Sequence, residues 1–111
     1  SLVGSEMCIR DREFPDGYKS LTKQLKIKSG KCISYQVHRH CDKVWTFIDG
    51  EGELVLDGIR SIVGRGDTVT IKKGIKHAVR AISDLTFIEV QSGALLVESD
   101  VERFEWIWSD R

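Results

Sequence analysis

From Lys23 to Glu98 the chain never runs far before a turn signal interrupts it. The segments QLKIK, CISYQVH, VWTFID, ELVLD, SIVG, DTVTI, HAVRA, LTFIEVQ and ALLVE are separated by DGEG, DG, GRGD, KKG, SD and SG. Within the segments, apolar residues alternate or β-branched residues cluster, and no stretch sustains the i, i+3, i+4 pattern of an amphipathic helix. The pattern predicts an all-β fold, a small sandwich or barrel. Asp57-Gly58, set between two apolar segments, is a hairpin signal because a tight turn needs positive φ there. Trp45 and Phe47 place large rings on one face of their strand and are expected in the core. Trp106 and Trp108 are expected to pack across the barrel or on a dimer surface. Only the acidic tail Glu98 to Phe104, ESDVERF, reads as a helical turn.

With 111 residues the chain is expected to form one domain with a core of its own. Lys and Arg number 17 and Asp and Glu also 17, so no net field draws it to nucleic acid or an anionic membrane. The expected partner is a small molecule or another protein. There is no apolar run of the roughly 18 residues a membrane span requires, and no apolar signal-peptide core, so the expected location is cytoplasmic. Cys8, Cys32 and Cys41 are odd in number and lack C-x-x-C spacing, which argues against a disulfide framework.

The opening residues 1–12, SLVGSEMCIRDR, carry no clear strand or helix period. Leu2 to Asp11 resembles the translation of a transposase adapter used in preparing sequencing libraries. We therefore read residues 1–12 as a non-native leader and 13–111 as the domain. Setting the leader aside removes Arg10 and Arg12 together with Glu6 and Asp11, so the charge stays balanced.

Two spaced motifs follow. Gly30, Gln36, His38, Lys43 and Gly50 stand at the intervals G-x5-Q-x-H-x4-K-x6-G, and Gly66, Lys72, Gly74, His77 and Ala81 at G-x5-K-x-G-x2-H-x3-A. The pair resembles the two cupin motifs, G-x5-H-x-H-x4-E-x6-G and G-x5-P-x-G-x2-H-x3-N. The resemblance implies a double-stranded β-helix, a jelly-roll barrel with a small-molecule site at its mouth. A narrower resemblance covers residues 23–108: SYQVHRHCDKVW, GEGELVLDG, GDTVTIKKGIKHAV, FIEVQSG and ESDVERFEW are similar to the type II mannose-6-phosphate isomerase cupin. That cupin also forms the C-terminal part of mannose-1-phosphate guanylyltransferases. Gln36, His38, His40 and Trp45 match its Q-x-H-x-H-R-x-E-x-W motif, and Gly93, Glu98, Asp100 and Arg103 match its tail.

On a strand, residues 36, 38 and 40 point the same way, so Gln36, His38 and His40 can converge while His77 arrives from a distant strand. Such a set, with a carboxylate, suits a divalent Zn, Mn, Fe or Ni ion with a position open to substrate. In an aldose–ketose isomerase that ion would stabilise an enediolate while a base moves a proton between two sugar carbons. Lys43 replaces the family's glutamate, and an ammonium repels a cation. Three outcomes stay open: His40 or Cys41 completes the metal site, Lys43 itself supplies positive charge in a metal-free barrel, or the site is inactive. Asp42 faces the other way and offers no easy rescue. Arg103 would grip a sugar phosphate or form a salt bridge with Glu102 or Glu105. His38 and His77 as ordinary core histidines are the plainer alternative. Lys72 for the usual proline and Ala81 for the usual asparagine are expected to alter loop rigidity and one hydrogen bond. Cys32 is read as a small buried residue.

The expected function is a mannose-6-phosphate isomerase-like cupin acting on a phosphorylated hexose in sugar-nucleotide and polysaccharide supply, with Lys43 and Arg103 holding anionic oxygens. The alternatives are a non-catalytic sugar-binding or regulatory module, such as the remnant of a fused guanylyltransferase, and a cupin with other small-molecule chemistry, such as an oxygenase. A homodimer formed through strand edges is expected.

Overall fold

The computed structural model describes residues 5–13, 19–93, 96 and 100–108. The described residues form ten strands: β1 Ser5–Glu13, β2 Lys19–Ile27, β3 Cys32–Val37, β4 Cys41–Asp49, β5 Glu51–Leu56, β6 Ile59–Gly64, β7 Thr68–Ile71, β8 His77–Ala81, β9 Leu85–Gly93 and β10 Glu102–Phe104. They form two five-stranded sheets, ordered β1-β2-β9-β4-β7 and β10-β3-β8-β5-β6. Every neighbouring pair is antiparallel. Consecutive strands mostly lie in the same sheet only when a tight turn joins them, and otherwise cross over, which is the double-stranded β-helix arrangement. No helix among the described residues is long and apolar enough to cross a membrane.

Period-two alternation builds the core. Cys41, Lys43, Trp45 and Phe47 of β4 are buried, as are Leu85, Phe87 and Glu89 of β9. Trp45, Phe47 and Phe87 meet at centroid separations of 4.9 to 6.3 Å. Leu25, Ile27, Ile33, Leu54, Ile71 and Val79 fill the space around them. The rings expected in the core are therefore there. The Asp57-Gly58 hairpin also forms as read, with φ of 51° and 84° joining β5 to β6.

A bulge in β3 decides which residues face inward. Ile33 pairs with Val79 and Gln36 with His77, so β3 spends one more residue than β8 over the same span. Ile33 and Gln36 consequently share the inner face although they lie three apart. Tyr35 is turned outward, where it packs with Val55 and Ala78. The tail covers this outer patch: Phe104, Trp106 and Trp108 lie against it. The two tryptophans thus serve the outer face of one sheet.

One region differs from the expectation. The tail was expected to be a helical turn, but Glu102–Phe104 is a strand that pairs with Val37, Gln36 and Tyr35. An exposed sheet edge supplies backbone partners that a short polar segment cannot find alone. The other end of that turn, Glu98, lies outside the described residues, as does most of the ALLVE segment. Ser5–Glu13, which shows no period in the sequence, pairs with β2 from Lys26 to Lys19. Ladder hydrogen bonds come from the backbone and do not require a side-chain pattern.

Candidate functional site

The site lies where β3, β4, β8 and β9 face one another. Gly74, at φ of 86°, turns the chain ahead of β8, and its amide donates to the His38 carbonyl at 2.8 Å, tying the two motifs together. The Asp42 carboxylate accepts from the Lys73 amide at 2.8 Å and secures the same turn from outside. On the far side Asp100 accepts from the amides of Arg39 and His40 at 3.1 and 3.0 Å.

His38 and His77 are brought together, their rings stacked at 5.3 Å, with the Trp45 ring edge-on to His77 at 5.5 Å. Nδ1 of His77 lies 3.0 Å from the Ile75 carbonyl. A carbonyl only accepts, so this nitrogen carries the proton and Nε2 is left as a bare acceptor. Nε2 of His77 and Nδ1 of His38 are both buried and find no hydrogen-bond partner among the described residues. Leaving such an atom unsatisfied costs about 1–3 kcal/mol, which marks this spot as built for something polar.

The Lys43 ammonium is buried and forms an ion pair with Glu89 at 3.2 Å. The Glu89 carboxylate also accepts from Trp45 Nε1 at 2.8 Å and from Gln91 Nε2 at 2.7 Å. Burial by itself would raise the Glu89 carboxyl, but the Lys43 charge and the hydrogen bonds from Trp45, Gln91 and Lys43 hold it below its usual range. It is therefore a carboxylate at neutral pH. Burial, then the positive charge of Lys43, then His77 lower His38 to about 3. Burial, resisted by the Ile75 hydrogen bond, and then Lys43 lower His77 to about 4. Both imidazoles are neutral at pH 7. Lys43 acts on each ring more strongly than Glu89 does.

Gln36 sits opposite His77 in the ladder, on the same face, and its Oε1 accepts from the Ser34 hydroxyl at 3.2 Å. Arg103 is exposed on β10 opposite Gln36, at the rim of that face, and Glu102 pairs with Arg39 at 2.9 Å. His40 is not brought to the cluster. β3 ends at Val37, the chain bends at residues 39 and 40, and His40 is exposed, so the alternation that would align residues 36, 38 and 40 stops short. Cys41 is buried, and burial raises its thiol. Ala81 lies in the core and exchanges backbone hydrogen bonds with Gly30 and Lys31, whereas Lys72 is exposed.

This donor set does not fit a resident divalent metal. His38 and His77 offer two ring nitrogens, and Gln36 on the same face an amide oxygen that already accepts from Ser34, but no group of three or more His, Cys, Asp or Glu among the described residues converges on one point. The family's third ligand position carries the ammonium. At roughly 4 Å and an effective dielectric near 20, a divalent ion and an ammonium repel by about 8 kcal/mol. Glu89 offsets part of that, but its oxygens are already engaged by Lys43, Trp45 and Gln91.

Glu89 was missed in the sequence. It occupies the apolar phase of β9, two residues beyond Phe87, and Lys43 occupies the apolar phase of β4 between Cys41 and Trp45. Two opposite charges in core-facing slots are the signal that could have found the pair.

The family described as mannose-6-phosphate isomerase C-terminal matches residues 12–106. A mannose-1-phosphate guanylyltransferase of Escherichia coli is 31% identical over 90 residues, covering 79% of this chain and 19% of that protein. The alginate biosynthesis protein AlgA of Pseudomonas fluorescens is 33% identical over 94 residues, covering 83% of this chain and 20% of its own length. The chain thus spans about a fifth of the curated relatives it matches. Among solved structures, a double-stranded β-helix protein from Klebsiella pneumoniae superposes with a TM-score of 0.76 at 20% identity, covering 94% of this chain and 86% of that one. With the cupin barrel formed and the family's motif residues at their expected intervals, the chain belongs to the mannose-6-phosphate isomerase C-terminal family of cupins.

Proposed function

We propose that this chain is a sugar-phosphate-binding cupin module serving the supply of mannosyl precursors for polysaccharides, of the kind attached to mannose-1-phosphate guanylyltransferases. One observation carries the reading: two buried, neutral imidazole nitrogens without partners among the described residues face the barrel interior beside a fixed ammonium. Such nitrogens accept hydrogen bonds from sugar hydroxyls, and Arg103 at the rim offers a planar fork for the phosphate. The relatives' names, guanylyltransferase and alginate biosynthesis protein, support the pathway context.

A second reading, aldose–ketose isomerisation of the same phosphorylated hexose, draws on the bare Nε2 of His77 as a proton acceptor. Its lowering to about 4 makes it a weak base at neutral pH, which favours hydrogen bonding over proton abstraction. Proton NMR of the protein titrated with mannose 6-phosphate, mannose 1-phosphate and fructose 6-phosphate separates the two. Saturable shifts of the His38 and His77 ring signals without interconversion of the sugars are expected. Interconversion would establish the isomerase reading, and no response at millimolar ligand would remove both.

A further inference from the structure

The position that the family gives to an acidic metal ligand holds a lysine here, and that lysine is not swung out to solvent. Its side chain is 7% exposed and ion-paired with a Glu89 side chain that is 4% exposed. Glu89 is in turn held by Trp45 and Gln91, so the carboxylate is fixed from three sides. A lysine that had merely drifted into the site would leave an unpaired buried charge. Here a matching carboxylate stands in the core-facing slot of the neighbouring strand, two residues along from Gln91, which is the residue directly opposite Lys43.

We propose that the Lys43 ammonium, anchored by Glu89, is the resident cation of this barrel, and that the chain takes no divalent metal between His38 and His77. The two imidazoles then work as neutral hydrogen-bonding groups next to a built-in positive charge. Trp45 and Gln91 become positioning residues, since they orient the carboxylate that orients the ammonium. This assignment does not depend on which sugar phosphate binds.

The test uses the untagged chain, stripped with EDTA, incubated in turn with Zn, Mn, Ni and ferrous ions, desalted, and measured by elemental and native mass spectrometry. Wild type is expected to stay substoichiometric in each metal. Lys43→Glu, which restores the acidic ligand position and leaves Glu89 without its cation, is expected to gain at least about ten-fold in occupancy. The charge swap Lys43→Glu with Glu89→Lys rebuilds the ion pair in reverse and is expected to return to the wild-type level. About one metal per wild-type chain, lost when His38 and His77 are both changed to Ala, would overturn the proposal. So would a folded Lys43→Glu variant that stays empty, because Lys43 would then not be what excludes the metal. Should Lys43→Glu fail to fold, the wild-type measurement and Lys43→Met decide the matter, the latter expected to gain metal relative to wild type.

Discussion

Two carboxylates with cationic partners lie on opposite faces of this barrel. Glu89 points into the barrel interior, 4% exposed, against a Lys43 that is 7% exposed. Glu53 lies on the outer face of the other sheet and accepts from Arg60 at 2.6 Å and from Arg80 at 3.3 Å, but those arginines are 42% and 21% exposed. The geometries are similar and the energetic settings are not. The Glu53 side chain is itself only 11% exposed, but its arginines reach solvent, so water can take over part of their role, and Arg80 also lies over the Trp108 ring at 5.2 Å. Inside, a lost partner strands a buried charge. An ion pair whose cations reach solvent can therefore vary more freely than one enclosed in the barrel.

The sharpest way to break the contrast is to remove the inner carboxylate. Glu89→Gln leaves the Lys43 ammonium buried and uncompensated and is expected to cost about 3–5 kcal/mol in urea unfolding. Replacing both partners together, Lys43→Met with Glu89→Leu, is expected to recover most of that loss, because no charge is then stranded. A double variant as unstable as the single one would mean that packing, not charge, sets the cost.

Trp45→Phe keeps an aromatic ring in the core but deletes the donor to Glu89, at an expected cost of about 1.5–3 kcal/mol for a hydrogen bond to a charged group. Read against Phe47→Leu, which touches no polar partner, it separates lost hydrogen bonding from lost volume.

Acid probes the inner site selectively. His38 and His77 protonate near pH 6.5 when unfolded but only near about 3 and about 4 when folded. Between those values the unfolded chain binds more protons, so stability is full above pH 6.5 and falls as the pH drops. Each histidine contributes up to about 1.4 kcal/mol per pH unit. Urea midpoints measured from pH 7 to 4.5 should show this slope, and His38→Gln should make it shallower. An unchanged slope in that variant would place the titration elsewhere.

Arg60→Ala, on the outer face, is expected to have the smallest effect, about 0–1 kcal/mol, and to shrink further in high salt. A loss as large as that of Glu89→Gln would erase the distinction between the two faces.

Much of the fold was legible because its signals are local. Turn residues at short spacing and alternating apolar residues depend only on neighbours along the chain, so the strands, the Asp57-Gly58 hairpin and the buried Trp45 and Phe47 could be read directly. The motif intervals located His38, Lys43 and His77 and indicated the barrel. Less could be read where a partner from elsewhere decides. Whether Glu102–Phe104 becomes a strand depends on the free edge of β3, and whether His40 joins His38 depends on where β3 ends.

Period and spacing are properties of the chain alone, and they dictate the all-β architecture and the residues available to the site. Tertiary structure decided what those residues do together. Folding the chain into two facing sheets set Glu89 beside Lys43, 46 positions away in the sequence, and stacked His77 on His38. A side chain's charge is written in its chemistry, but the cost of that charge depends on burial and on the counter-charge within reach, and both exist only once the barrel has closed.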